Sequence, residues 1–116
     1  MSRNALSRFA IVIGLAACTP ATLEPKPLDI GVEANRTTTV PGDTLTFVVS
    51  AQGGTLVGIE IDFGDNVLDQ FGTGGARTAR VTFRHAYLER GSYTVRAIVT
   101  DAAAGQKQAT IEVRVN

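Results

Sequence analysis

The sequence predicts an all-β fold, an antiparallel β-sandwich of about seven short strands. From residue 28 onward, apolar and polar residues alternate with period two, which is typical of strands with one buried face. Turn-forming residues, many of them among the 12 glycines, interrupt this alternation about every ten residues. No segment after residue 27 shows convincing helical periodicity. Strands with one apolar face must bury that face against a second layer, so a sandwich is expected.

Composition limits the classes of function that the chain can have. Its 116 residues provide for one ordinary domain. The formal net charge of zero gives no reason to expect a nucleic-acid partner. The single cysteine excludes an intrachain disulfide and a zinc site built on four cysteines. One histidine and no tryptophan leave little material for a histidine-rich metal site or an indole platform.

The first 17 residues have the layout of a secretory signal peptide. Arg3 and Arg8 provide a basic start without any acid, and residues 9–17 form an uncharged apolar run that ends in small residues. A membrane-spanning helix needs about 20 apolar residues, so this run is too short to be one. We therefore expect residues 1–17 to be a signal peptide that is removed from the mature protein.

The end of this segment, Leu15-Ala16-Ala17-Cys18, resembles the lipobox of bacterial lipoproteins. In that family the cysteine receives a diacylglyceryl group with fatty acids such as palmitate, and it becomes the new N-terminus. The resemblance implies a lipid anchor on Cys18 and a location at the cell membrane, outside the cytoplasm. Thr19, where aspartate favours inner-membrane retention in Gram-negative bacteria, implies the outer membrane there. The alternative is ordinary cleavage that leaves Cys18 as a free thiol.

Residues 18–27 are expected to form a tether. Pro20, Pro25 and Pro27 disfavour helix and bias the preceding residues toward extended backbone. Such a segment would hold a domain clear of a membrane surface, although a simple unstructured terminus has the same composition.

The first half of the domain shows three alternating segments. Residues 28–34 alternate and are followed by the turn sequence Pro41-Gly42-Asp43. Residues 44–49 alternate next, and Gly53-Gly54 interrupts the pattern before the third segment at 57–63. We expect a strand at each alternating segment and a chain reversal at each interruption.

The second half repeats this arrangement. The glycine-rich residues 72–75 predict a flexible hairpin connection, and residues 80–85 alternate after it. Residues 93–99 and 109–115 alternate as well, with a loop at 101–105 between them. Together the two halves give six or seven strands.

Two motifs go beyond generic strand patterning. The first is Ile61-Asp62-Phe63-Gly64-Asp65-Asn66, and the second extends from His85 through Tyr87, Gly91 and Tyr93 to Asp101. Together they resemble the PKD (polycystic kidney disease) domain family, whose patterns are roughly W-D-F-G-D-G and H-x-Y-x-x-x-G-x-Y-x-V-x-L-x-V-x-D. The resemblance covers about residues 28–116. It implies an immunoglobulin-like β-sandwich of the kind found mainly outside cells.

The first motif departs from the family at two positions. Ile61 stands where the family usually has tryptophan, which makes the core smaller at that point unless Phe47 or Phe83 compensates. Asn66 stands where glycine is usual, and asparagine can still adopt the left-handed turn conformation.

Several motif residues have structural interpretations of their own. Asp62 and Asp65 can accept hydrogen bonds from backbone N–H groups of the turn. The spacing from Glu89 to Tyr93 is like that of a tyrosine corner, in which the phenol bonds upstream backbone. His85 is expected to make a partly buried structural hydrogen bond.

Calcium is the cation that this sequence could bind, and otherwise no cofactor is expected. Asp62, Asp65 and Asp101 are the candidate metal ligands, since calcium takes six to eight oxygens. Asp43 and Asp69 are further carboxylates of the same kind. The alternative is that all of them serve turns and caps.

Candidate binding residues for a glycan or an acidic head group form two sets. Phe71, beside the glycine-rich stretch, is the one candidate for an exposed aromatic contact. Arg77, Arg80 and Arg84, together with Arg96, could form a basic face, the alternative being an ordinary solvated strand face.

The sequence predicts a protein that is not an enzyme. A catalytic triad would have to use His85 with Ser50 or Ser92, and no G-x-S-x-G nucleophile elbow is present. We expect a cell-envelope lipoprotein that acts as an interaction or display module for an envelope protein or glycan. The alternatives are a structural spacer without a ligand and a calcium- or carbohydrate-binding accessory protein.

Overall fold

A computed structural model of the protein describes residues 27–116. This part of the chain is built from strands and turns, with no helix in it, so the all-β prediction is confirmed. The strands are β1 (Asp29–Ala34), β2 (Thr38–Thr39), β3 (Thr44–Asp62), β4 (Leu68–Ala86), β5 (Gly91–Asp101) and β6 (Gly105–Val115). The predicted signal peptide, the lipidation site Cys18 and the tether up to residue 26 lie outside the described residues.

Strands β3 and β4 form one long antiparallel hairpin that is folded in two. They pair from Thr44 with Ala86 to Asp62 with Leu68, and the register shifts between Gln52 and Gly58. The rings of Phe47 and Phe63 lie only 5.5 Å apart, although a straight strand would separate these residues by about 50 Å. The hairpin therefore bends near Gly53 and contributes to two layers.

The other strands complete these two layers. In the first layer, β1 pairs antiparallel with the first half of β3, from Asp29 with Gln52 to Ala34 with Phe47. In the second layer, β5 pairs with the second half of β3, β6 pairs with β5, and β2 lies parallel to the end of β6. Because β3 passes through both layers, the strands form one curled sheet of order β1-β3-β5-β6-β2, with β4 on the other side of β3.

The two glycine-rich stretches bend strands instead of ending them. The sequence predicts about seven short strands. Residues 27–116 form six, and β3 and β4 contain 19 residues each. The prediction that residues 72–75 form a hairpin connection is wrong, because β4 continues through them. Gly74 and Gly75 have positive φ angles of 61° and 86°, as expected for a bulge that bends a strand.

The core lies between the two layers and follows the predicted alternation. Its largest fully buried side chains come from β3, β5, β6 and the turns at their ends: Tyr87, Phe47, Phe63, Leu45, Leu56, Ile59, Ile61, Val49, Val95, Val99 and Val113. Burying one such aliphatic or aromatic side chain stabilises the fold by about 1.5–3 kcal/mol. Residues 27–116 thus hold a closed core and all six strands, which is sufficient for this segment to fold by itself.

The domain has two distinct ends. At the loop end, the turn at 40–43, the loop at 63–67 and the loop at 87–90 come together, because the N–H of Gly42 donates to the carbonyl of Tyr87 and the Tyr87 hydroxyl donates to the carbonyl of Phe63. At the entry end, Leu28 leads into β1 beside the bend at Gly53 and the turn at 102–104.

Candidate functional site

An aromatic cluster fills the loop end around the histidine. The ring of His85 stacks on Phe63 with a centroid distance of 4.1 Å and meets Tyr87 edge-on at 4.7 Å. Tyr87 in turn stacks on Tyr93 at 4.4 Å. These four residues come from both sequence motifs, so the motifs meet in space and join β4 and β5 to the β3–β4 loop.

The two tyrosine hydroxyl groups bond backbone carbonyls. The Tyr87 hydroxyl donates to the carbonyl of Phe63 at 2.8 Å, and the Tyr93 hydroxyl donates to the carbonyl of Glu89 at 2.8 Å. The second contact confirms the predicted tyrosine corner. Burial, aided by the nearby carboxylate of Asp65, raises the pKa of Tyr87 far above the ordinary value. Tyr87 is therefore a neutral hydrogen-bond donor over the physiological pH range.

His85 makes the structural hydrogen bond that the sequence predicts. Its Nε2 lies 2.7 Å from Oδ2 of Asp65, and its side chain is only 12% exposed. Ser50 lies on the outer face of the first layer and accepts a bond from Arg80 instead. Within residues 27–116, neither Ser50 nor Ser92 forms a hydrogen bond with His85, whose Nε2 partner is Asp65.

Asp101 organises the entry end. Its carboxylate accepts hydrogen bonds from the backbone N–H groups of Thr55 at 2.6 Å, Ala103 at 3.0 Å and Ala104 at 2.9 Å. These bonds, the one from Ala104 most strongly, hold the pKa of Asp101 below its usual value. Asp101 therefore caps the β5–β6 turn and fastens it to the bend of β3.

The three candidate metal ligands do not converge. Asp62 accepts the N–H of Gly64 at 2.9 Å, and Asp65 bonds His85. Asp101 pairs with Leu56, about 20 Å along β3 from Asp62. The described part of the chain has no group of three His, Cys, Asp or Glu side chains placed to hold a metal ion. Calcium binding stays a prediction, without a site formed by this set of three.

The candidate basic residues do not form one face. Arg80 and Arg84 lie on the outer face of the first layer, in register with Ser50 and Thr46. Arg96 is opposite Asp62 on the outer face of the second layer. Arg77 lies in the bent part of β4. The structure therefore places Arg96 apart from Arg80 and Arg84, because β4 and β5 contribute to different outer surfaces.

Phe71 lies on β4 where this strand forms the edge of the second layer. It is opposite the buried Ile59 and is 50% exposed. A shallow depression of about 290 Å³ lies beside it, where the facing glycines Gly58 and Gly72 leave space between Val57 and Ile98. The predicted exposed aromatic is therefore present, at the rim of a depression instead of on a flat platform.

The loop end carries a groove that the sequence analysis did not find. It has a volume of about 430 Å³ and is lined by Asp65, Asn66, Val67, Leu88, Glu89 and Tyr93. Leu88 is 83% exposed and Val67 is 43% exposed. Leu88 could have been found from the sequence, because it is the one large aliphatic residue between Tyr87 and the strand that begins at Gly91.

Comparison with protein families gives one result that covers most of the chain. Residues 29–115 match the PKD domain family. A search of curated proteins finds no match.

Solved structures of low sequence identity share the fold. The PKD domain of an M14-like peptidase from Thermoplasmatales archaeon SCGC AB-540-F20 is 23% identical, with a TM-score of 0.68 over 79% of this chain and 98% of that one. The PKD domain of human VPS10 domain-containing receptor SorCS2 is 19% identical, with a TM-score of 0.55 over 98% and 96%. A CARDB domain from Pyrococcus furiosus, solved in complex with di-metal ions, is 16% identical, with a TM-score of 0.59 over 78% and 93%. These likenesses show an immunoglobulin-like β-sandwich.

Proposed function

The chain belongs to the PKD domain family, and from that premise we propose that it is a non-catalytic lipoprotein of the cell envelope. In this proposal Cys18 carries the lipid, residues 19–27 form the tether, and the PKD domain presents a recognition surface to an envelope protein or glycan. PKD domains are generally non-catalytic interaction or structural modules, which agrees with the structural roles of His85 and Asp101.

The anchor rests on the N-terminal sequence. A basic start, a short apolar run and Leu15-Ala16-Ala17-Cys18 are the features that lipid attachment requires. Two acyl chains provide stable anchoring because each buried methylene contributes about 0.8 kcal/mol. Within the described residues no helix has the length and apolar character to cross a bilayer.

The observation that carries the recognition role is the exposure of Leu88 in the groove at the loop end. Leu28 brings the chain into the domain at the opposite end, so a tether at the N-terminus would hold the loop end away from the membrane. Exposed apolar residues that line a groove beside carboxylates are typical of interaction sites. Val67 and Leu88 provide the apolar contact, and the exposed Glu89 provides an acceptor for the donors of a partner.

Substitution in the groove tests this role. Leu88→Asp should abolish capture of an envelope component by the immobilised 27–116 domain, because a carboxylate at an apolar contact must be desolvated. Val57→Asp is the matched control, since Val57 is 51% exposed but lines the depression beside Phe71 and not the groove at the loop end. Equal melting temperatures would show that both variants fold.

Two results would contradict the recognition role. If wild type and Leu88→Asp capture the same components, the groove does not bind them. If neither the wild-type domain nor Leu88→Asp captures any envelope protein or glycan, the domain is a structural spacer without a ligand.

A further inference from the structure

The unpaired edges of the sheet differ in how they are protected. In the described part of the chain, β4 pairs only with β3, so its far side is an edge in both layers. β1 likewise pairs only with β3, and β2 contains just two residues. Open edges can add strands from other chains, and proteins usually block them with charged side chains. The question is therefore which edge lacks such protection.

Two of the edges repel a second copy of themselves. A twofold antiparallel pairing of β1 centred on Gly31 would place Asp29 opposite Glu33 of the other copy. The same pairing of the second half of β4, centred on Thr82, would place Arg80 opposite Arg84. Like charges that face each other across strands are destabilising.

The first half of β4 has the opposite character. Residues 68–72 carry one charge, on Asp69, and two half-exposed large side chains, Leu68 at 54% and Phe71 at 50%. The Asp69 carboxylate accepts the backbone N–H of Gln70 at 2.9 Å, so it must turn away when a second strand bonds there. Gln70 lies at the centre of this segment, opposite Glu60 of β3. From this contrast we infer that residues 68–72 bind the same residues of a second copy, as a twofold antiparallel strand pair centred on Gln70.

This pairing is complementary in size on the outer face. Leu68 of one copy lies opposite Gly72 of the other, and the space where Gly72 would carry a Cβ is open, with no atom within 4 Å. The Leu68 side chain fills that space in both halves of the pair. Gln70 faces Gln70, which allows the two amides to bond each other.

The inner face of the same pair brings the aromatic side chains together. Phe71 lies opposite Asp69 of the other copy, so no like charges lie directly opposite each other, and the two Asp69 carboxylates are diagonal neighbours. The two Phe71 rings are diagonal neighbours, which lie about 7–8 Å apart across paired strands and within reach of aromatic side chains. The pairing therefore covers apolar surface of Phe71 that the isolated domain leaves half-exposed.

Five residues per strand form a small interface, so the dimer is weak in dilute solution. Stable protein interfaces bury about 1,200–2,000 Å², which a pair of five-residue strands does not reach. Tethering raises the effective concentration into the millimolar range, where a weak pairing is occupied. The inference does not depend on the lipid, because the test below uses the soluble domain.

Cysteine cross-linking tests the register directly. Residues 27–116 contain no cysteine, so Gln70→Cys introduces a single thiol on the twofold axis, where the Cα atoms of facing residues lie within disulfide range. Thr82→Cys is the matched control, because Thr82 is also exposed on the outer face of β4 but lies between two arginines. With diamide as oxidant, we expect the Gln70→Cys dimer to form at least about tenfold faster, since pairing raises the effective thiol concentration.

Sedimentation at increasing concentration provides the second measurement. The average mass of the wild-type domain should rise toward that of a dimer, whereas Gln70→Lys should remain monomeric because two ammonium groups would face each other. Thr82→Lys should behave as wild type. Equal cross-linking rates for the two cysteine variants, or species larger than dimers from head-to-tail pairing of β1 with β4, would overturn the inference. Capture of a different protein by Gln70→Cys in cells, without self-cross-linking, would overturn it in favour of a foreign strand.

Discussion

Tyr87 and Tyr93 each donate one hydrogen bond to a backbone carbonyl, Tyr87 to the distant Phe63 and Tyr93 to the nearby Glu89. The Tyr93 bond was visible in the spacing from Glu89 to Tyr93, because a tyrosine corner depends on local sequence. The partner of Tyr87 was not visible, because Phe63 lies 24 residues away and reaches Tyr87 only when β3 and β4 fold over. Asp65 shows the same limit: it was expected to bond the turn backbone, but its Oδ2 contacts His85. Local bonds could be predicted from the sequence, and bonds across the layers could not.

Removing the hydroxyl group of Tyr87 should lower the free energy of unfolding more than removing that of Tyr93. Tyr93→Phe should lower the free energy of unfolding by about 0.5–1.5 kcal/mol, the usual contribution of one hydrogen bond. Tyr87→Phe should cost about 1–3 kcal/mol, because it leaves the buried carbonyl of Phe63 without a donor. Urea unfolding measures both, and a larger loss for Tyr93→Phe than for Tyr87→Phe would contradict these roles.

Asp101 should make the domain sensitive to acid. The pKa of Asp101 is lower in the folded state than the ordinary value of 3.8. The ionised carboxylate therefore stabilises the fold at pH values above 3.8. This contribution is lost as the pH falls through the folded-state pKa. Asp101→Asn should therefore be less stable than wild type at pH 7, and the difference in melting temperature should shrink below about pH 4.

Asp69→Asn is the control for this experiment, because Asp69 is exposed and accepts only the N–H of its neighbour Gln70. A difference between wild type and Asp101→Asn that stays constant from pH 7 to pH 2 would show that the charge of Asp101 does not stabilise the turn.

At the scale of the elements, the alternation of apolar and polar residues predicts where the strands lie, but it does not predict where they end. The segments at 28–34, 93–99 and 109–115 all lie in or next to observed strands. The sequence predicts chain reversals at Gly53-Gly54 and at residues 72–75, because glycine is common in turns. In the structure, Gly53 is needed for a close approach, since a Cβ there would lie 2.8 Å from Leu56 and 2.9 Å from Asp101. Sequence alone does not distinguish a glycine that bends a strand from one that ends it.

The loop between β3 and β4 should depend strongly on Gly64. Its φ angle is 89°, and a Cβ would lie 2.6 Å from the carbonyl oxygen of Thr94. Gly64→Ala should therefore cost more than about 2 kcal/mol, because the left-handed conformation alone costs about 1–2 kcal/mol. Gly31→Ala is the matched control, since Gly31 has open space and ordinary backbone, and it should change stability by less than about 1 kcal/mol. Similar denaturation midpoints for both variants would contradict this account of the loop.

Asn66 occupies the second special position of the same loop. Its φ angle of 71° confirms the predicted left-handed conformation. Asn66 therefore holds a left-handed turn position that favours glycine.

The two ends of the domain formed by residues 27–116 carry different features. The chain enters beside Asp101, while the groove with Val67 and Leu88 lies at the other end. The sandwich could be predicted from alternation and from the family resemblance, and the groove could not, because its lining residues come from two separate loops. A lipid on Cys18 would place the groove at the end of the domain that is remote from the membrane.

Intact-mass spectrometry of the detergent-extracted mature protein tests the central claim most directly, because it reads the N-terminal residue and its modification together. The account predicts a mature chain that begins at Cys18 and is heavier by a diacylglyceryl group, and an unprocessed chain in Cys18→Ala. A mature chain with an unmodified Cys18 thiol, or one that begins after Cys18, would contradict the account.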